Sequence, residues 1–253
     1  MSMGQKFYVD TAVFRYRSGY HEINAFLAVP SVATPMPAIV LAHDVYGLDE
    51  HMQDLAIRFA REGYAVLVPD FFTTRSGISA PSGTIVSAQT LRRNAPDTIA
   101  VADVRNGYNY LKGQDYVDPY RVAVVGFGFG GTIALLSAAQ TTELAAAVNF
   151  YGDIVYRREQ IGRVKPNSPA DMLGLVNCPL LSFYGAPDSD VSRQEVELLE
   201  RTLRGKNKTY ELKVYPSVPN GFFNDSRPES YRAQSARDAF ARTFNFLDRY
   251  LKA

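Results

Sequence analysis

Arg121-Val-Ala-Val-Val-Gly-Phe-Gly-Phe-Gly-Gly-Thr132 is the stretch on which the reading of this chain turns. A β-branched run ends in glycines and passes at once into the helical pattern Thr132–Gln140, so the stretch encodes a strand, a sharp turn and a helix N-terminus. Read as Gly126-x-Gly128-x-x-Gly131, it matches a dinucleotide-binding fingerprint. Read as Gly126-x-Gly128-x-Gly130, it is the frame of a nucleophile elbow, with glycine where serine or cysteine would stand. A dinucleotide site wants its glycines after the first strand of its unit and an acidic residue about 20 positions on. Here at least four strand-like segments precede the turn, and Asp153 meets the second demand only loosely. The elbow reading explains more of the chain.

Upstream, Phe7–Arg17 and Glu22–Val29 alternate as two antiparallel strands around Ser18-Gly19, and Pro30 stops the second. Pro37–His43 and Tyr64–Asp70 are continuous apolar runs, the mark of buried central strands. Between them Met52, Leu55, Ala56, Phe59 and Ala60 recur at helical spacing within Asp49–Glu62. Thr73–Gln89, rich in Ser, Thr, Gly and Pro, reads as a surface excursion with room for a short helix, and Asp97–Lys112 as a crossover helix. Downstream, strands are expected at Ala145–Tyr151, Pro179–Tyr184 and Tyr210–Tyr215, with a loop-rich passage over Gly152–Asn177. Helices follow at Ser192–Arg204, opened by the capping box Ser192/Glu195, and at Arg232–Leu251. Buried strands alternating with helices predict an α/β protein: one domain over residues 1–253, with a mostly parallel central sheet of about eight strands and helices on both faces. Ligands in such sheets bind beyond the carboxyl ends of the strands, which points to His43-Asp44, Asp70, Gly128, Tyr151–Asp153, Asp188 and Asn220.

Composition narrows the function. Lys+Arg 27 against Asp+Glu 26 gives no electrostatic case for nucleic acid or an anionic membrane. One cysteine, Cys178, excludes an internal disulfide framework and a four-cysteine metal site, and three histidines argue against a His-rich centre. Met1–Lys6 lacks the apolar core of a signal peptide, and no run approaches the roughly 18 apolar residues of a membrane span, so the expectation is a cytoplasmic protein. Whether it is a monomer or a dimer is left open.

Six segments carry a family resemblance. Pro37-Ala-Ile-Val-Leu-Ala-His43-Asp44-Val45-Tyr46-Gly47-Leu48 comes first, then Glu62-Gly-Tyr-Ala-Val-Leu-Val-Pro-Asp70-Phe71-Phe72 and Asp118-Pro-Tyr-Arg-Val-Ala-Val-Val-Gly-Phe-Gly128-Phe-Gly-Gly131. Asn149-Phe-Tyr-Gly152, Tyr184-Gly-Ala-Pro-Asp188 and Tyr215-Pro-Ser-Val-Pro-Asn220-Gly-Phe-Phe-Asn-Asp225 follow in the same order. Together they closely resemble the dienelactone hydrolase family of α/β-hydrolases over nearly the whole chain. The resemblance implies a Cys-His-Asp triad, with serine in some relatives, acting on esters and lactones without metal or cofactor. By it the nucleophile falls on Gly128, the acid on Asp188 and the histidine on Asn220. Glycine has no side chain to attack a carbonyl, and a neutral amide is no proton-accepting base near pH 7.

The family geometry would still aim two backbone N–H groups, of Val45 and Phe129, at one ligand oxygen, with a helix dipole behind them. Asp44 stands where the family usually carries a glutamate; it is either a base for remaining chemistry or a carboxylate that fixes its own loop. Asp188 is expected to accept from the Asn220 amide, as a satisfied pair or as part of a rearranged site. His43, Tyr46, Phe72, Phe127, Tyr151 and Phe222 are expected to line the pocket, His43 with a structural reading beside it. His51 is expected at the surface or one layer out from the site, His21 on an edge strand, and Cys178 as a small buried hydrophobe. Arg75 and Arg227 are candidates to attract an anion, although the family's carboxylate-binding arginines fall nearer Thr74 and Asn224. Three functions stay open: a family member without its esterase triad that binds a carbonyl compound or acts non-hydrolytically, an ester or lactone hydrolase using Asp-activated water, and a structural or partner-binding protein.

Overall fold

Strand runs that are apolar at every position need cover on both faces, and here they form the middle of the sheet. In a computed structural model, residues 7–73, 95–186, 188 and 190–252 are described. The strands are β1 (Val9–Ser18), β2 (His21–Pro30), β3 (Met36–Ala42), β4 (Ala65–Pro69), β5 (Val117–Phe127), β6 (Ala146–Phe150), β7 (Leu180–Ala186) and β8 (Tyr210–Pro216). They make one 8-stranded sheet in the order β1-β2-β4-β3-β5-β6-β7-β8. β1 pairs antiparallel with β2, and β2 with β4; from β4 to β8 every pairing is parallel. β3, β4 and β6 are buried at every residue, whereas the hairpin strand β1 is mostly exposed.

The main helices are α1 (Glu50–Ala60), α2 (Asp97–Lys112), α3 (Phe129–Gln140), the one-turn α4 (Pro169–Met172), α5 (Arg193–Gly205) and α6 (Ala233–Leu251). α1 buries the five residues its periodicity selects and is capped by the Asp49 carboxylate, which accepts from Met52 N–H at 3.0 Å. Phe59 of α1 meets Phe240 and Phe244 of α6 edge-on, each at 5.3 Å between ring centres. The capping box of α5 forms as its sequence predicts. Among the described residues no helix is long and apolar enough to cross a membrane. The expected excursion after Thr73, with Thr74 and Arg75, lies outside the described residues.

α3 starts three residues earlier than its apolar pattern suggests, because the turn is a single residue. Gly128 is the N-cap, at φ 53° and ψ −115°, and Gly130 and Gly131 are already helical. Helical glycines cost about 1 kcal/mol each relative to alanine, so a constraint must demand them. It is backbone approach: a Cβ on Gly130 would stand 2.0 Å from the Ala42 carbonyl oxygen, and one on Gly126 2.0 Å from that of Gly130. β3, β5 and α3 are thereby locked together at the carboxyl end of the sheet.

Under the first turn of α3 sits a buried ion pair. Lys165 Nζ lies 2.6 Å from Asp97 Oδ1, with side chains 2% and 4% exposed. Tyr156 donates its hydroxyl to Asp97 Oδ2 at 2.7 Å, and the ammonium lies 5.4 Å from the centre of the Phe129 ring. Removing one partner of such a pair strands a buried charge, so Lys165→Met is expected to cost about 3–5 kcal/mol in denaturant unfolding. Adding Asp97→Asn should recover much of that loss; an unchanged unfolding midpoint for Lys165→Met would contradict this account.

Candidate functional site

The strand β3 ends at Ala42, and the next residues swing across the N-terminus of α3. Asp44 therefore stands against the glycine turn. Its Oδ1 accepts from Val45 N–H at 2.7 Å and from Phe129 N–H at 2.9 Å. A Cβ built on Gly128 would fall 2.2 Å from Oδ1, 2.3 Å from Cγ and 2.4 Å from Oδ2 of Asp44. The two donors expected to point at a ligand oxygen thus hold the chain's own carboxylate, and that carboxylate fills the space beside Gly128. An anion is favoured there by the two convergent N–H groups and the helix dipole together.

His43 fixes the approach of this loop. Its ring is wholly buried, and Nε2 accepts from Phe71 N–H at 3.0 Å. The ring proton is therefore on Nδ1, which donates to the Asp44 carbonyl oxygen at 2.6 Å. Burial holds the imidazole pKa below its ordinary value, so the ring is neutral and structural. His43 was expected on the pocket wall; it lies beneath the loop because both its nitrogens are taken up by backbone.

A shallow cleft, with about 10 Å³ of room for a water-sized molecule, lies in front of the Asp44 carboxylate. Asp44, Tyr46, Asp49, His51, Phe127 and Tyr151 are among the residues that line it. Of the aromatics expected there, Tyr46, Phe127 and Tyr151 are present. Phe72 and Phe222 are instead packed below: Phe72 stacks on Phe129 at 6.4 Å, and Phe222 meets Tyr151 edge-on at 5.4 Å. The Arg227 guanidinium lies 3.4 Å from the centre of the Tyr46 ring, at the rim. Asp188 and Asn220 do not line this cleft but face each other, the Asn220 amide donating to both carboxylate oxygens at 3.1 and 3.0 Å. Burial raises the Asp188 pKa, opposed by the Val191 and Asp190 N–H groups and by Asn220.

Comparison with known proteins accords with this architecture. The sequence model described as the dienelactone hydrolase family matches residues 23–251. The chain belongs to the dienelactone hydrolase family. A candidate carboxymethylenebutenolidase of Escherichia coli (strain K12) is 30% identical over 218 residues, covering 85% of this chain and 78% of that protein. One of Methylorubrum extorquens is 28% identical over 228 residues, 90% of this chain and 77% of that protein. The crystal structure of a candidate dienelactone hydrolase from Klebsiella pneumoniae superposes with a TM-score of 0.89 at 29% identity, covering 96% of this chain and all of that one. The α/β-hydrolase fold expected from the sequence is the fold observed.

Within this family member, sequence reasoning passed over several lining residues, Asp49, His51 and Met52 among them. His51 was expected at the surface or one layer out, yet its side chain is 6% exposed, lines the cleft and meets Asp225, far along the chain. Its position at the start of α1, directly after the Asp44 loop, was the only available signal. Cys178 is buried away from the cleft with its thiol pKa pushed up to about 12 by burial, the small hydrophobe the sequence suggests.

The overlap between Asp44 and any side chain at residue 128 gives a direct test. Gly128→Ala should destabilise by about 2–4 kcal/mol, through left-handed strain and through expulsion of the Asp44 carboxylate from two charge-assisted hydrogen bonds. In an Asp44→Ala background only the strain remains, so a double-mutant cycle should return at least about 1 kcal/mol of coupling. Additive effects would show that the carboxylate is not held in that place.

Proposed function

We propose that this dienelactone hydrolase family protein does not hydrolyse esters or lactones through an acyl-enzyme, and that its cleft takes a small carbonyl compound for binding or non-hydrolytic chemistry. The observation that carries the reading is the Asp44 carboxylate, bound by the N–H groups of Val45 and Phe129 in the space beside Gly128. An acyl-enzyme route needs a nucleophile, a base that activates it and a free oxyanion hole. Gly128 supplies no nucleophile, and Asn220 spends its amide on Asp188.

A neutral carbonyl oxygen is a weaker acceptor than the carboxylate already in the hole. An oxygen that gains negative charge, such as that of an enolate, competes on more equal terms once the Asp44 side chain turns away. The reading in which Asp44 or Asp188 activates a water beside Gly128 has less support, since Asp44 itself fills that space. Relatives named for carboxymethylenebutenolidase activity make butenolides, small unsaturated lactones, the first carbonyl class to examine.

The unmodified protein is expected to give neither steady turnover nor an acyl-enzyme burst with p-nitrophenyl acetate. Gly128→Cys with Asn220→His should remain nearly inactive, because Asp44 obstructs the new side chain. Adding Asp44→Ala to that pair should raise esterase turnover by at least ~10-fold, the scale of restored nucleophile and base. Efficient hydrolysis by the unmodified protein would overturn the proposal.

A further inference from the structure

The Asp44 loop runs straight into α1, whose second residue, His51, lines the cleft beside Asp44. His51 Nδ1 lies 3.0 Å from Asp225 Oδ1, and the other oxygen of Asp225 accepts from Arg58 Nη2 at 2.7 Å. Arg58 is held in turn by Asp54 at 2.5 Å, one turn away on the same helix. Burial works against ionisation of Asp225, but the hydrogen bond and charge of Arg58, with His51, keep its carboxyl below the ordinary range. Against an ionised carboxylate, the proton of neutral His51 stays on Nδ1, and Nε2 carries the lone pair. Nε2 makes no hydrogen bond among the described residues. A histidine that lines a cleft, oriented through Nδ1 by a carboxylate that an arginine holds ionised and with its other nitrogen uncommitted, is equipped to take a proton.

We propose that His51 is the proton-transfer residue of this cleft, oriented by Asp225, and that the substrate is a carbonyl compound bearing an acidic hydrogen on the carbon next to the carbonyl. The inference rests on the non-hydrolytic reading of the site. In the step, His51 Nε2 takes that hydrogen as a proton. The C–H bonding pair becomes the second bond of a C=C, and the carbonyl π pair moves onto oxygen. The resulting enolate oxygen accepts from Val45 and Phe129 N–H as the Asp44 carboxylate leaves them. The imidazolium then returns the proton, either to the same carbon or, in a conjugated substrate, two carbons further on. Atoms and charge balance without oxidant or cofactor: return of the proton two carbons on migrates the double bond, and exchange of the imidazolium proton with solvent before its return to the same carbon gives hydrogen exchange.

α-Angelica lactone, a β,γ-unsaturated butenolide with an acidic CH₂ beside its carbonyl, is a suitable probe. Followed by NMR in D₂O, the unmodified protein is expected to accelerate both deuterium uptake at that carbon and conversion to the conjugated β-isomer. His51→Gln should lower kcat by about 10²–10⁴-fold, the usual share of a general base. His51→Ala should regain part of the lost rate when imidazole is added, which loss of a merely structural residue would not allow. Asp225→Asn, which leaves His51 in place but no longer fixes its tautomer, should lower kcat at least ~10-fold with KM little changed. No acceleration by the unmodified protein, or acceleration that survives His51→Gln, overturns this proposal. Ring opening to the keto acid above the spontaneous rate overturns instead the non-hydrolytic reading on which it rests.

Discussion

A carboxylate held by two backbone N–H groups at a helix N-terminus is the interaction on which this site depends. Asp44 Oδ1 takes both the Val45 and the Phe129 donors, and its carboxylate lies where the first carbon of a side chain at residue 128 would be. Gly128 and Asp44 are therefore one structural feature. The glycine admits the carboxylate, and the carboxylate satisfies donors that the turn leaves orphaned at the start of α3. His43 secures the arrangement from below, by bonding the Asp44 carbonyl through one ring nitrogen and the Phe71 N–H through the other. A protonated His43 would lose the Phe71 bond, and burial keeps it neutral.

Much of the frame was legible because it is written in local patterns. The apolar runs of β3, β4 and β5, the periodicity of α1 and the Ser192/Glu195 box each depend on residues within one element. The glycines around residue 128 announced a tight strand-to-helix turn, since a close approach of chain segments or a positive φ requires so many so close together. The Asp188–Asn220 pair came through the family resemblance, whereas two other pairings between distant residues escaped. Asp44 and Phe129 are 85 positions apart, and His51 and Asp225 are 174 apart. Neither pairing has a periodicity, and each depends on where a short side chain turns after the backbone is set. The aromatics show the same limit: Phe72 and Tyr151 both follow strands, yet the first is packed beneath the cleft and the second lines it. Strand ends place such residues near a cleft without fixing which side they face.

The occupied hole also constrains any chemistry that the cleft performs. Hydrogen bonds to charged groups contribute about 1.5–3 kcal/mol each, less where solvent reaches them, and Asp44 is partly exposed. A ligand that displaces the carboxylate must offset most of that from its own contacts. A resting ester carbonyl, carrying only a partial charge, offsets little. An oxygen whose charge grows during the reaction recovers the two N–H bonds as the charge develops, so the exchange favours the charged state over the bound ground state. That is the differential binding that catalysis requires. On the proposed reading, the same tethered carboxylate that would obstruct an acyl-enzyme at residue 128 would make the two N–H groups selective for ligands that become anionic at oxygen.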